Sequence, residues 1–337
     1  LANPILVEIT RGTLVESIHR GSVAIADAAG EIVFSLGDIE APTYPRSSLK
    51  PIQALPLIES GAAEAFGLSD EEVVLACASH TGEPMHTTRV AAWLERIGCE
   101  VSDLACGPQQ VRYEPVRDAM IERGEQPTRV HNNCSGKHTG FLTVARHWDV
   151  ATKGYEHHDH PVQRAVAVAL GELSGIVSEL PWGVDGCAAP NFALPLSAFA
   201  RALAKFAAPQ SLPSQRGNAA RRIVHAMIAH PELVSGTGHA CAALMRSARG
   251  RAAIKNGAEG YYAGIVPEAG LGIALKIDDG AGRASETAFA AILDKLGLLG
   301  DDAAARALLN APVTNTRNAV VGERRPAEAL ATMSSRV

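Results

Sequence analysis

Strand-like patterns sit at both ends of this chain, and a long alanine-rich stretch of helical pattern lies between them. Near the start, residues 5–9, 22–26 and 31–36 alternate as half-buried strands do, and Asp27-Ala28-Ala29-Gly30 reads as a tight turn joining the last two. Near the end, 260–266 and 272–277 flank Pro267-Glu268-Ala269-Gly270, a hairpin loop, and a helix over 286–296 and a strand over 319–321 follow. The middle predicts helices over 70–77, 87–97, 116–122, 135–147, 161–173, 195–206 and 217–230, rich in small residues that suit close packing. Strands separated by so long an insertion bury their apolar face by closing one sheet from two ends. The predicted class is therefore α+β, with an antiparallel sheet from about 1–40 and 255–325 and a helical part over about 46–250. Residues 1–337 would form a single composite domain.

Composition narrows the partners. The 337 residues are 47% hydrophobic and 20% charged, with a formal net charge of −5. A mildly acidic chain without a long Lys/Arg run offers no electrostatic footprint for nucleic acid or for anionic lipid. No stretch is apolar for long enough to span a bilayer, and Leu1-Ala2-Asn3-Pro4 shows no secretory pattern, so the expected location is cytoplasmic. Cys77, Cys99, Cys106, Cys134, Cys187 and Cys241 are scattered without a CxxC and read as reduced thiols.

One motif sits where the sheet pattern gives way to the helical one. Ser47-Ser48-Leu49-Lys50 is the only S-x-x-K in the chain, follows the crossing Ala41-Pro42-Thr43-Tyr44-Pro45, and opens a helical pattern over 47–60. A helix start brings unpaired N–H donors and the positive end of the dipole. Positions i and i+3 share a face, so Lys50 is placed to reach the Ser47 hydroxyl and serve as its base. Pro51 belongs in a first turn, which predicts a 3₁₀ beginning with Ser48 as an alternative cap. The plainer reading is that both serines only cap a helix and Lys50 lies on the surface.

Three further patches carry chemistry. Cys77-Ala78-Ser79-His80-Thr81-Gly82-Glu83 closes an apolar helix with small polar groups, and Asn132-Asn133-Cys134-Ser135-Gly136-Lys137-His138-Thr139-Gly140 opens another with donors and nucleophiles. Lys255-Asn256-Gly257-Ala258-Glu259-Gly260 precedes a predicted strand, with glycines that admit close approach of a substrate. An S-x-x-K, a polar serine element and a K-x-G before a strand are similar to the layout of serine β-lactamases and penicillin-binding proteins. Joined to His131-Asn132-Asn133-Cys134-Ser135-Gly136-Lys137-His138 and Asp185-Gly186-Cys187, the set resembles more specifically the Rhizobium-type (class 3) L-asparaginases. That resemblance runs from the strands before Arg46 to Lys276-Ile277-Asp278-Asp279-Gly280.

The resemblance implies a β-lactamase/penicillin-binding-protein-like fold and a single catalytic domain, acting as a homodimer on L-asparagine. It implies two Ser-Lys pairs, Ser47 with Lys50 and Ser79 with Lys255, with Ser47 as nucleophile, although either pair is chemically capable. Arg46 would bind the substrate α-carboxylate and Asp185 its α-ammonium. It further implies one zinc per chain on Cys134, Lys137 and Cys187, supporting substrate binding rather than generating hydroxide, and no organic cofactor. His138 is the more ordinary zinc ligand from the same helix; it is placed among the substrate-binding residues instead. The expected reaction is hydrolysis of L-asparagine through a serine acyl-enzyme activated by lysine. Its rivals are a β-lactamase- or peptidase-like serine hydrolase and a non-catalytic zinc-containing amino-acid-binding protein. His157-His158-Asp159-His160 looks metal-like but reads better as a solvated loop before a helix, and Thr237-Gly238-His239 reads as a turn.

Overall fold

A thirteen-residue strand, Leu14–Ala26, organises the sheet in the computed structural model, which describes residues 2–333. Its first half pairs with Ile5–Arg11, placing Glu8 opposite Ile18. Its second half pairs with Leu271–Ile277, where Ala274 faces Ala24, and with Ile32–Leu36, where Ser35 faces Ala24. The eight-stranded sheet continues through Tyr261–Val266 to Ala253–Gly257 at one edge. Toward the other edge it passes through Val320–Pro326 to Ala311–Thr314. All these pairings are antiparallel. The α+β class, with one antiparallel sheet drawn from both ends of the chain, is therefore what forms.

The chain divides into two compact units. The sheet unit comprises the residues up to Ser48, Leu194–Ala208, and those from Ala243 onward. The helical unit comprises Leu49–Ala193 and Pro209–Ala242. The helix Leu196–Ala207, which the sequence placed in the helical part, belongs with the sheet.

Within the sheet unit, neighbouring residues of one strand show how both faces are covered. A methyl on Gly272 would collide with the backbone of Ala200, Leu203 and Ala204, so the helix Leu196–Ala207 lies directly on that face. Ile273 is the next residue and points to the opposite side. Its partner Gly264 there meets Phe289, of the helix Gly282–Lys295, 2.8 Å from where a methyl would sit. Burial on both faces explains why Tyr261–Val266 is buried at every position rather than at alternate ones. The first half of Leu14–Ala26 is largely exposed and was not predicted. Ala311–Thr314 was missed as well; its Pro312 is tolerated because the strand is an edge.

In the helical unit, Asp70–Cys77 starts on a capping box between Ser69 and Glu72, with three acidic residues in its first turn. The helix Ser135–His147 crosses it closely, because a methyl on Gly136 would collide with the Leu75 carbonyl. The predicted helix over 47–60 is broken into the 3₁₀ turn Arg46–Leu49 and the short helices Lys50–Gln53 and Leu55–Glu59. Pro51 and Pro56 each lack the N–H that would continue one ladder. Among the described residues, no helix is long and apolar enough to cross a membrane.

Candidate active site

Of the predicted site residues, the sheet unit holds Arg46, Ser47 and Lys255, and the helical unit holds Lys50, Ser79, Cys134, Lys137, His138, Asp185 and Cys187. In the sheet unit the Pro-rich crossing is pinned by pairing of Pro42–Thr43 with Leu194–Pro195 and by Thr43 Oγ1 lying 3.2 Å from the Tyr261 hydroxyl. Arg46 then takes φ = +54°, a left-handed conformation that is strained for a residue with a Cβ. Ser48 donates its hydroxyl to the Pro45 carbonyl at 2.6 Å, and neither serine caps the following helix, whose N-cap is Leu49 without a side-chain bond. Lys50 is fully buried. The helix-cap and surface-lysine reading therefore fails on both counts.

Lys255 does not precede a strand as expected; it lies within the edge strand Ala253–Gly257, opposite Ala263. It is 1% exposed, and its Nζ donates to the Asn256 carbonyl at 2.8 Å and to Asn256 Oδ1 at 3.0 Å. Gly257 shares a strand face with Lys255. A methyl on Gly257 would collide with the Pro45 carbonyl and stand 3.3 Å from the Ser48 nitrogen. The glycine of this K-x-G thus makes room for the chain's own Pro45–Ser48 backbone, where the sequence suggested room for a substrate.

In the helical unit, Lys50 Nζ donates to the Ala78 carbonyl and meets Ser79 Oγ at 2.9 Å. The geometry joins Lys50 to the serine that the resemblance had paired with Lys255. Ala78 leaves its helix in an extended conformation, ψ = 151°, which takes its carbonyl out of the helical ladder. Backbone bonds hold the segment: Ser79 N–H to the Val234 carbonyl at 2.8 Å and His80 N–H to the Asn133 carbonyl at 3.2 Å. His80 accepts from Gly82 N–H at Nδ1 (3.2 Å), so Nε2 carries the proton it gives to Ser135 Oγ at 2.9 Å, and Ser135 passes its own to the Val130 carbonyl. Burial, reinforced by His86 and Lys50, keeps His80 well below the usual imidazole range and so neutral. Glu83, quoted in the motif but given no role, ties the turn together. It accepts from Thr81 and from the Thr237 hydroxyl (2.7 Å) and N–H (3.0 Å). Burial raises its pKa, but these hydrogen bonds outweigh it and hold the carboxylate below its ordinary range.

The second cluster is built on the start of the helix Ser135–His147 and on a turn after Trp182–Val184. The turn closes through Asp185 N–H to the Ala189 carbonyl and Ala188 N–H to the Asp185 carbonyl, both 2.9 Å, with Ala188 left-handed at φ = +76°. Lys137 Nζ lies 3.0 Å from Cys187 Sγ. A hydrogen bond from Cys134 draws the Cys187 thiol down to about 4 against the opposing effect of burial, and Lys137 adds to the shift. Donating that bond, together with burial, pushes Cys134 up to about 12. Lys137 is raised, since the thiolate outweighs the cost of its burial. The unit therefore encloses a buried contact between Lys137 and Cys187 with Cys134 beside it, and of the two sulfurs it is Cys187 that is drawn toward the thiolate. Half-buried Asp185 flanks it, with a carboxylate oxygen 4.0 Å from Cys187 Sγ.

Two sulfurs and an amine converging in one buried place fit a thiophilic cation once Lys137 gives up its proton. Among the described residues no group of three or more His, Cys, Asp or Glu side chains is arranged for a metal, so the third donor would have to be Lys137. All six cysteines are buried. His138 Nδ1 is 2.7 Å from the Tyr155 hydroxyl, a partner no sequence pattern announced. Burial, then Lys137, pulls His138 down to about 3. The His157–His160 run is structural: His160 accepts from Val162 N–H to cap the helix Pro161–Ser174, and His158 stacks on Trp182 at 4.3 Å.

The helical unit thus buries a lysine against a serine hydroxyl and, separately, a lysine against a cysteine sulfur. The model of the L-asparaginase II family matches residues 7–326, and the chain belongs to that family. No curated protein matches the sequence. Among solved structures it is similar to Mglu in its native form, with 14% identity and a TM-score of 0.49 over 84% of this chain and 66% of that one. The chain thus spans just under two thirds of the length of Mglu. It is also similar to a β-lactamase from Mycobacterium bovis, at 14% identity and a TM-score of 0.45 over 82% of this chain and 94% of that one. A simvastatin synthase from Aspergillus terreus shares 11% identity, with a TM-score of 0.38 over 80% and 88% of the two chains.

Proposed function

We propose that this protein hydrolyses L-asparagine to L-aspartate and ammonia through a serine ester. The observation that carries the reading is the contact of the fully buried Lys50 with Ser79 Oγ at 2.9 Å, in a chain of the L-asparaginase II family. A serine hydroxyl gives its proton to a lysine amine as its oxygen attacks the side-chain amide carbon. The proton passes to the leaving nitrogen, ammonia departs, and water cleaves the β-aspartyl ester by the same route in reverse. Lys50 is the base and Ser79 its hydrogen-bond partner. Ser47 is kept as nucleophile, and Arg46, Lys255 and Asp185 as its supporting groups, on the sequence resemblance.

Cys134, Lys137 and Cys187 would hold a zinc ion, with Asp185 and His138 next to them for the amino-acid end of the substrate. When bound, the ion would supply fixed positive charge that orders this end of the site. Ammonia release from L-asparagine tests the reading, with nitrocefin as the competing substrate. Turnover of asparagine, lost in Ser47→Ala or Ser79→Ala, is expected. Absence of ammonia from the wild-type protein, or near-normal release by both serine variants, overturns it.

A further inference from the structure

Three buried histidines of the helical unit can be compared by where their ring protons go. In His80, Nδ1 accepts from Gly82 N–H and the Nε2 proton is taken by Ser135 Oγ. In His86, Nε2 faces the Glu232 carbonyl at 3.2 Å and must carry the proton; the unpartnered nitrogen, Nδ1, then bears only a lone pair. His138 differs. The Ala105 N–H donates to the Tyr155 hydroxyl oxygen at 2.8 Å, and Tyr155 lies 2.7 Å from His138 Nδ1. An amide can only donate, so the tyrosine oxygen accepts there; with no other acceptor for its hydroxyl among the described residues, its own hydrogen is left for Nδ1. His138 therefore keeps its proton on Nε2, which is buried and has no partner. An orphaned buried donor is rarer than an under-satisfied acceptor. Trp93 Nε1 is another in this unit, but its helix, Pro84–Arg96, carries none of the candidate site residues, whereas that of His138 carries Lys137.

The surroundings say what kind of acceptor suits His138. His138 is 0% exposed and Tyr155 1%, with the rings edge to face at 5.6 Å. His138 follows Lys137 in its helix and stands one turn from Cys134, to whose carbonyl its N–H donates at 3.0 Å. The unsatisfied donor thus belongs to the same neighbourhood as the contact between Lys137 and Cys187. An oxygen of an amino acid fits a neutral N–H in such a place.

We propose that Tyr155 is a positioning residue that locks His138 as an Nε2–H donor for an oxygen of the bound amino-acid substrate, and that His138 is consequently not a metal ligand. The role of the substrate rests on the asparaginase reading; the lock itself does not. Protein carrying ¹⁵N-labelled histidine, examined by long-range ¹H–¹⁵N NMR, reports the tautomer without any turnover. In the wild type the His138 signal is expected to show a protonated Nε2 and a bare Nδ1. L-aspartate, the probe, is expected to shift Nε2–H. Adding zinc alone is expected to leave His138 Nε2 protonated. Tyr155→Phe is expected to populate both tautomers and to raise KM roughly tenfold with a smaller change in kcat, the loss of about one hydrogen bond's orientation. His138→Gln, whose amide nitrogen can stand in for Nε2, should retain more aspartate binding than His138→Asn, and this pair decides the matter if Tyr155→Phe does not fold. An Nδ1–H form in the wild type, loss of the Nε2 proton on adding zinc, or an unchanged tautomer in Tyr155→Phe overturns the lock. Aspartate that binds without moving Nε2–H, or Asn outperforming Gln, overturns the donor role. Complete absence of aspartate binding with the tautomer as expected would instead count against the asparaginase reading.

Discussion

The two units spend their interiors differently. In the sheet unit, the buried histidine, lysine and acidic side chains among the described residues are His19 and Lys255, within a core of Leu, Ile, Val and Ala. The helical unit buries Lys50, Glu72, His80, Glu83, His86, Lys137 and His138. Burying such groups is unfavourable unless each finds a partner. In the helical unit the partners are specific and interlocked, as in Gly82–His80–Ser135–Val130 and in Thr81–Glu83–Thr237. A core that only had to be stable would be better made of hydrocarbon. The density of paired polar groups therefore sets the interior of the helical unit apart from that of the sheet unit.

The sharpest way to break this contrast is to replace Lys50 by Met, which keeps the volume and removes the amine. If Lys50 is there for reaction, kcat for asparagine should fall by about 10³-fold or more. The thermal midpoint should fall only modestly, because Met fills the space but leaves the Ala78 carbonyl and the Ser79 hydroxyl without their donor, a loss of about 1–3 kcal/mol. Ammonia release and a melting curve on the same sample decide it. A large drop in the midpoint with activity per folded molecule unchanged would make Lys50 structural.

Much of this was legible in the sequence, and the reasons for the misses are physical. Asp70–Cys77 and Ser135–His147 were bounded to the residue, since a capping box opens one and a dense polar segment opens the other. The sheet from both termini followed from the apolar runs that Leu271–Ile277 and Tyr261–Val266 retain. The first half of Leu14–Ala26 was invisible because Leu14, Glu16 and Ile18 lie on exposed strand with no core to pattern them. At the site, spacing pointed to Lys50 beside Ser47, three residues away, and gave no sign of its contact with Ser79. Its bond to Ser79 depends on where Ala78 leaves its helix, a tertiary fact no local motif encodes. Tyr155 was missed for the same reason: nothing near it in the chain signals that its hydroxyl bridges Ala105 and His138.

Two glycines allow the same perturbation in both units. Gly136 sits against the Leu75 carbonyl between two helices, and Gly272 against the backbone of Ala200 and Ala204 between strand and helix. Alanine at either has no free space and should cost about 1–3 kcal/mol by overpacking. Only Gly136→Ala shifts the helix that carries Lys137 and His138, so it alone should lower kcat/KM beyond its effect on stability. Denaturant melts set the first quantity and kinetics at a temperature where both variants are folded set the second. Equal kinetic effects from the two substitutions would remove the functional distinction between the units.

Acid should separate them next. His80 and His86 are held below the ordinary imidazole range, chiefly by burial, so the native state keeps them neutral where the unfolded chain would protonate them. Below pH 6.5 the unfolded state binds more protons, and stability falls as pH falls, by up to about 1.4 kcal/mol per pH unit for each such histidine. Amide hydrogen exchange between pH 7 and 5 should show protection of Asp70–Cys77 declining faster than that of Leu271–Ile277. His86→Leu should flatten part of the slope. A uniform decline across both units would mean that the buried imidazoles are not what couples the helical unit to pH.

The smallest expected effects test whether the contrast is confined to the interior. Val177 is fully exposed in the helical unit, and Leu14 is 74% exposed in the sheet unit. Neither has buried contacts to lose, so Val177→Thr and Leu14→Thr should each change stability by no more than about 0.5 kcal/mol. Threonine keeps the β-branched shape that strand geometry favours at position 14, which leaves hydrophobicity as the variable. Activity should be unmoved by either, since neither residue is among the groups assigned to the reaction. A loss of more than 1 kcal/mol at Leu14 alone, in a chemical melt repeated at several protein concentrations, would show that the exposed half of Leu14–Ala26 is covered by something else in solution. The sheet unit would then owe part of its stability to an outer surface, and the difference between the units would no longer lie only in what each one buries.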